Sequence, residues 1–146
     1  MHTFFKDLFE YNHDCNKKIW DALTANPDLD VAVKLYCHIL NAHHIWNNRV
    51  EQQITVFGVW DMHSIEECGN INRQNHEQSM QILDTYAMER MVTFKTGKGN
   101  VFTKSVQELL FHVINHSTYH RAQIASEFRR NGLEPLKSDF ILFRKP

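Results

Sequence analysis

The chain has 146 residues, 42% of them apolar and 12% aromatic, which suits a single domain with one sizeable core and excludes a disordered or collagen-like chain. Sixteen Lys and Arg stand against 17 Asp and Glu, and the basic residues are scattered. The concentrated positive footprint that phosphate binding needs is missing, so nucleic acid is excluded as the main partner.

In chain order, the first segment, MHTFFKDLFEYNHD, carries Lys6, Asp7, Glu10 and Asp14 and lacks the unbroken apolar run of a signal peptide. No window along the chain approaches the roughly 18 apolar residues of a membrane span, so a soluble cytoplasmic protein with no membrane partner is expected. Phe4, Phe5, Leu8, Asn12, Cys15, Ile19 and Leu23 recur at steps of three and four and predict a first helix from Thr3 to about Ala25. Asn26-Pro27 ends it. Asp30 is a candidate N-cap for a second helix running to about Gln53, with Leu35, Ile39, Ala42, Trp46 and Val50 on its apolar side. ITVFGVWDMH then reads as a loop crossing one end of a bundle. Ser64-Ile65-Glu66-Glu67 has capping-box spacing and opens a third helix, predicted to reach about Arg90 with an interruption near Gly69.

Alternating apolar and polar residues on both sides of Gly97-Lys98-Gly99-Asn100 predict a short β-hairpin within Met91 to Thr103. Ser105-Val106-Gln107-Glu108 is a second capping box, and the last helix it opens should stop at Asn131-Gly132, shortly before Pro135. The pattern is that of an all-α four-helix bundle with a short β-hairpin before the last helix, in one domain. Cys15, Cys37 and Cys68 are odd in number, widely spaced and without a CxxC, which predicts buried reduced thiols and neither a disulfide framework nor a cysteine zinc site.

Ten histidines are present, three of them at His112, His116 and His120 of the last helix. A step of four residues turns a helix about 40° past a full circle and lifts it about 6 Å, so neighbours in this series can converge on one ion but the outer two cannot. The apolar stripe through Val106, Leu109, Leu110, Val113 and Ile124 passes through His116 and His120 and leaves His112 at the edge. Two inward imidazoles need hydrogen bonds or a metal, since an unpartnered buried polar group costs about 1–3 kcal/mol. Core histidines bonded to neighbouring helices would also meet that need. In helix two, His38 lies on the inward stripe, His44 projects toward Asn48 and Glu51 as a solvated residue, and His43 is ambiguous. His38 is therefore the expected third ligand.

CHILNAHHIW in helix two and HVINHSTYHRAQI in helix four resemble the paired signatures of the DinB-like (DinB/YfiT-like) family. Phe9, Tyr11, Asn12 and Asn16 resemble its opening, and Gly132, Pro135 and Asp139 its closing segment. The resemblance implies a four-helix bundle whose divalent metal ion is held by His38, His116 and His120; nickel, zinc and iron all suit three imidazoles. It implies metal-dependent chemistry on a small-molecule substrate, of thiol S-transferase or hydrolase type, with a low-molecular-weight thiol as a further cofactor, and a homodimer. A non-catalytic, stress-response protein with a structural ion is the alternative. Arg121 and Gln123 are candidates to orient ligands or bind an anionic thiol; Asn12 and His112 are candidates to support the centre from behind. Trp60 is a candidate for the site entrance, and no general base stands out, Glu127 included.

Overall fold

The computed structural model describes residues 1–143. Four helices carry the fold: α1 (His2–Ala25), α2 (Asp30–Glu51), α3 (Ile65–Thr85) and α4 (Val106–Arg130), with strands β1 (Met91–Lys95) and β2 (Val101–Ser105) preceding α4 and a short 3-10 turn at Phe140–Leu142. Helix α2 packs along both α4 and α3, and α1 packs chiefly along α3.

Both capping boxes form as the spacing predicts. Ser64 N donates to Glu67 Oε2 (2.7 Å) and Glu67 N to Ser64 Oγ (3.1 Å); Ser105 N donates to Glu108 Oε2 (2.8 Å) and Glu108 N to Ser105 Oγ (3.2 Å). Each pair satisfies two backbone donors that a helix start otherwise leaves orphaned. The hairpin pairs antiparallel, Met91 with Ser105 through Lys95 with Val101, around a turn in which Gly99 holds φ 81°. Gly132 takes φ 75° directly after α4, the left-handed conformation glycine adopts without a Cβ penalty.

Three expectations need correction. Helix α2 begins on Asp30, not after it: Leu29 occupies the cap position without a side-chain bond and packs into the core instead. Helix α3 stops at Thr85, short of Arg90, and runs through Gly69 without interruption. A Cβ at Gly69 would stand 2.7 Å from Trp20 Cε2, so glycine is there for the indole, whose Nε1 donates to the carbonyl of Ile65. Gly69→Ala is therefore expected to destabilise by about 1–3 kcal/mol through overpacking, against the gain of about 1 kcal/mol from helix propensity alone. A urea titration of the two proteins measures the sign.

The interior is layered along the bundle. One apolar cluster, with Phe5, Phe9, Val50, Ile82, Val106 and Leu110, lies toward the hairpin. A second, with Ile19, Leu23, Tyr36, Leu40, Ile71 and Phe128, fills the other end. Between them all four helices turn polar inward, at Asn12 and Asn16, at Asn41, His43 and Asn47, at Asn72, Asn75 and Ser79, and at Ser117 and Arg121, all buried. Asn16 Nδ2 donates to Asn72 Oδ1 (3.2 Å), Asn47 Nδ2 to the Asn75 carbonyl (3.1 Å) and Asn75 Nδ2 to the Leu40 carbonyl (3.0 Å). The three cysteines are buried and free, as expected.

Candidate metal centre

At the level of this polar layer α2 faces α4. His38 is buried on α2, while His116 and His120 flank the buried row Val113, Ser117, Ile124 of α4 and keep partial exposure. Their Nε2 atoms converge: His38 Nε2 and His120 Nε2 each lie 3.1 Å from His116 Nε2. Among the described residues these three are the group of His, Cys, Asp or Glu side chains placed to share an ion, with all ligand atoms within 4.8 Å of one another.

The outward nitrogens decide what the inward ones can do. His38 Nδ1 lies 3.0 Å from the Val59 carbonyl, which can only accept, so Nδ1 carries the proton and Nε2 is a bare lone pair. His120 Nδ1 lies 2.6 Å from Gln123 Oε1, with the same consequence. His116 Nε2 can donate to one of these lone pairs but not to both, which leaves nitrogen facing nitrogen with no proton between. That donor set fits a cation. Bonds of about 2.0–2.1 Å to a common ion place imidazole nitrogens about 2.9–3.4 Å apart at angles near 90–109°, a range that holds the separations of His38 and of His120 from His116. Burial holds His116 down to about 3, helped by the neighbouring charges of His120, His38 and His112. Burial also lowers His38, against the opposing Val59 hydrogen bond. Both rings are thus neutral, with their lone pairs free, at physiological pH.

The crossing loop, residues 52–64, builds one wall. Trp60, half exposed, stacks on His38 with centroids 3.9 Å apart and planes 11° from parallel. The exposed ring of Tyr119 meets His120 edge-on at 5.0 Å. Asn41 anchors the loop, donating to the Asp61 carbonyl (2.9 Å) and meeting His63 Nε2 through Oδ1 (2.6 Å). The Val59 carbonyl is a functional group that no side-chain pattern could reveal.

The other candidates separate. Gln123 touches His120 as described. His112 is exposed, its ring 4.7 Å from Trp46 and 5.6 Å from His116, and it is not one of the converging three. The hydrogen bonds of Arg121 go elsewhere: Nη1 reaches Asn12 Oδ1 (2.6 Å) and Asn16 Oδ1 (3.1 Å), and Nη2 reaches Thr118 Oγ1 (3.2 Å). Asn12 is likewise committed to Arg121. Arg121→Ala is accordingly expected to cost about 3 kcal/mol by stranding buried amides, read from the urea midpoint. Glu127 pairs with Arg130 at 2.7 Å. His44 is only partly exposed: its Nε2 accepts from Asn48 Nδ2 (3.0 Å) and from the Val56 amide (3.2 Å), because the crossing loop partly covers that face of α2. His43 is fully buried and meets Ser79 Oγ at 2.7 Å.

Compared with known proteins, the sequence is matched by the model of the DinB family over residues 1–146. It is also 23% identical over 163 residues to Protein DinB of Bacillus subtilis (strain 168), an alignment covering 98% of this chain and 95% of that protein. The match over the whole length, on a four-helix bundle with a three-histidine cluster, establishes that the chain belongs to the DinB family.

Proposed function

We propose that His38, His116 and His120 bind one divalent metal ion, nickel, zinc or iron, through Nε2, and that the protein is a metal-dependent enzyme of thiol S-transferase or hydrolase type. The observation that carries this reading is the convergence of the Nε2 atoms of His38 and His120 on that of His116, each 3.1 Å from it, with both held as lone pairs by acceptors behind the rings. An ion bound by three imidazoles keeps at least one position for an exogenous ligand, and supplies a nucleophile by acidifying a coordinated water or thiol.

The protein's own part is orientation. Val59 and Gln123 fix the tautomers and ring planes of His38 and His120, as outer partners of metal-binding histidines do. Trp60 beside His38 and Tyr119 beside His120 leave aromatic surface exposed, against which the carbon skeleton of a small substrate can lie. The partial exposure of His116 and His120 favours a catalytic over a structural ion, since a closed site would add a fourth protein donor. A cytoplasmic homodimer completes the proposal.

Elemental analysis of protein purified without a metal-affinity step should find close to one transition-metal ion per chain. Thiol-transfer assays across several low-molecular-weight thiols should then show turnover that a chelator removes. Metal at one per chain with no turnover, and no spectral change of a cobalt-substituted centre on adding thiol, would favour the structural ion. Sedimentation velocity tests the dimer.

A further inference from the structure

We infer that Cys37 and Cys68 are a redox-reactive pair that closes to a disulfide between α2 and α3 on exposure to a peroxide. Their Sγ atoms lie 3.7 Å apart, across the interface of two helices that pack together. Both residues are essentially inaccessible, and both belong to the same apolar cluster with Tyr36, Leu40 and Ile71. A disulfide bond is about 2.05 Å long, so the sulfurs must approach by less than about 2 Å. Cys15, the third thiol, is set apart, lining a cavity beside Lys137 and Ser138 near the C-terminal segment.

Access comes from the crossing loop. Cys37 Sγ contacts the carbonyl of His63 at 3.8 Å, at the loop's end and directly before the Ser64 cap of α3. Most of residues 52–62 are exposed, so local opening of that segment uncovers Cys37 without unfolding the bundle. The first thiol attacks one peroxide oxygen, the O–O bond breaks, and a sulfenic acid and one water form. The second thiol then attacks the sulfenic sulfur, forming the S–S bond and releasing the second water. Both thiol hydrogens end in water, two sulfurs are oxidised by one electron each, and hydrogen peroxide is reduced. The bridge would join Cys37, immediately before His38, to the first turn of α3, tying down both sides of the loop that carries Val59. The inference stands on the sulfur geometry and does not depend on a metal at the histidines.

Trypsin places the three thiols in separate peptides, Cys15 in 7–17, Cys37 in 35–49 and Cys68 in 50–73. Folded wild-type protein is treated with hydrogen peroxide, unfolded, alkylated and digested. The expected result is a drop from three alkylatable thiols to one, an intact mass lower by two hydrogens, and a cross-link between 35–49 and 50–73 that dithiothreitol reverses. The inference is overturned if Cys37 and Cys68 both alkylate after a peroxide dose that oxidises the urea-unfolded chain. A bridge through Cys15, a bridge between two chains, or sulfinic acids without a bridge would overturn it equally.

Discussion

Replacing His120 with alanine is expected to abolish stoichiometric metal binding while the bundle stays folded. His120 supplies one of three converging nitrogens, and no other side chain among the described residues stands ready to substitute. Two imidazoles rarely retain an ion against solvent, so the loss should exceed the roughly 10–100-fold typical of removing an outer partner. Gln123→Ala calibrates that scale, because it frees His120 Nδ1 and leaves all three ligands in place; a weakening of about 10–100-fold is expected. His112→Ala should leave affinity unchanged, its ring lying outside the converging group. Competition with a chromophoric chelator measures all three, and far-ultraviolet circular dichroism verifies the fold. Wild-type affinity in the His120 variant would end the three-imidazole assignment.

In metal-free protein, stability is expected to fall steeply as pH drops below 6.5. His43 is fully buried between Phe9 and Ser79, and burial, with smaller contributions from His76, His44, His13 and Arg121, lowers it from 6.5 to about 3. As acid is added the unfolded chain therefore takes up a proton near pH 6.5 that the folded chain refuses until about pH 3. The stabilising effect of a neutral His43 is complete above pH 6.5 and is lost progressively below it, by about 1.4 kcal/mol per pH unit. At pH 5 the loss from this residue is about 2 kcal/mol. Burial lowers His13, His38, His44, His112 and His116 as well, so they add to the slope in the same direction. Urea midpoints at pH 7.5 and pH 5 in the presence of a chelator measure the total. His43→Gln should flatten the dependence by about one proton; an unchanged slope would show that His43 titrates freely in the folded state.

The chain exposes its helices through local rules and the general inward side of α4 through periodicity. Capping boxes at Ser64 and Ser105 and glycines at 99 and 132 are short-range signals, and each appears as expected. The stripe is displaced by one residue: the buried row of α4 runs through Val113, Ser117, Arg121 and Ile124, and His116 and His120 lie partly exposed beside it. What stayed hidden depends on a partner distant in sequence. Gly69 reads as a helix breaker until Trp20 is seen packed against it. His44 reads as solvated because nothing in its own helix announces that Val56 returns to cap it. Arg121 follows His120 and invites a role at the same centre, yet one residue turns a helix by about 100° and aims it at Asn12 and Asn16 of α1. The shortfall of α3 at Thr85 has the same origin, since the backbone from Ala87 to Arg90 is turned to start the hairpin, with Met88 and Arg90 carbonyls accepting from Gln107 and Val106.

The buried amides that divide the interior have a bearing on accuracy. Leucines and isoleucines tolerate sliding past one another, so greasy contacts alone define the axial stagger of neighbouring rods poorly. A buried group bonded to one particular side chain on the next rod loses that partner when the rods slide by a turn, an offset of about 5.4 Å. Asn47 and His43 on the Ser79 hydroxyl thereby act as detents that index α3 against α2, as Arg121 on Asn12 and Asn16 indexes α4 against α1. Swapping such amides for aliphatic residues would give a sturdier but less exact assembly, in which imidazoles from separate rods no longer meet within a few tenths of an ångström.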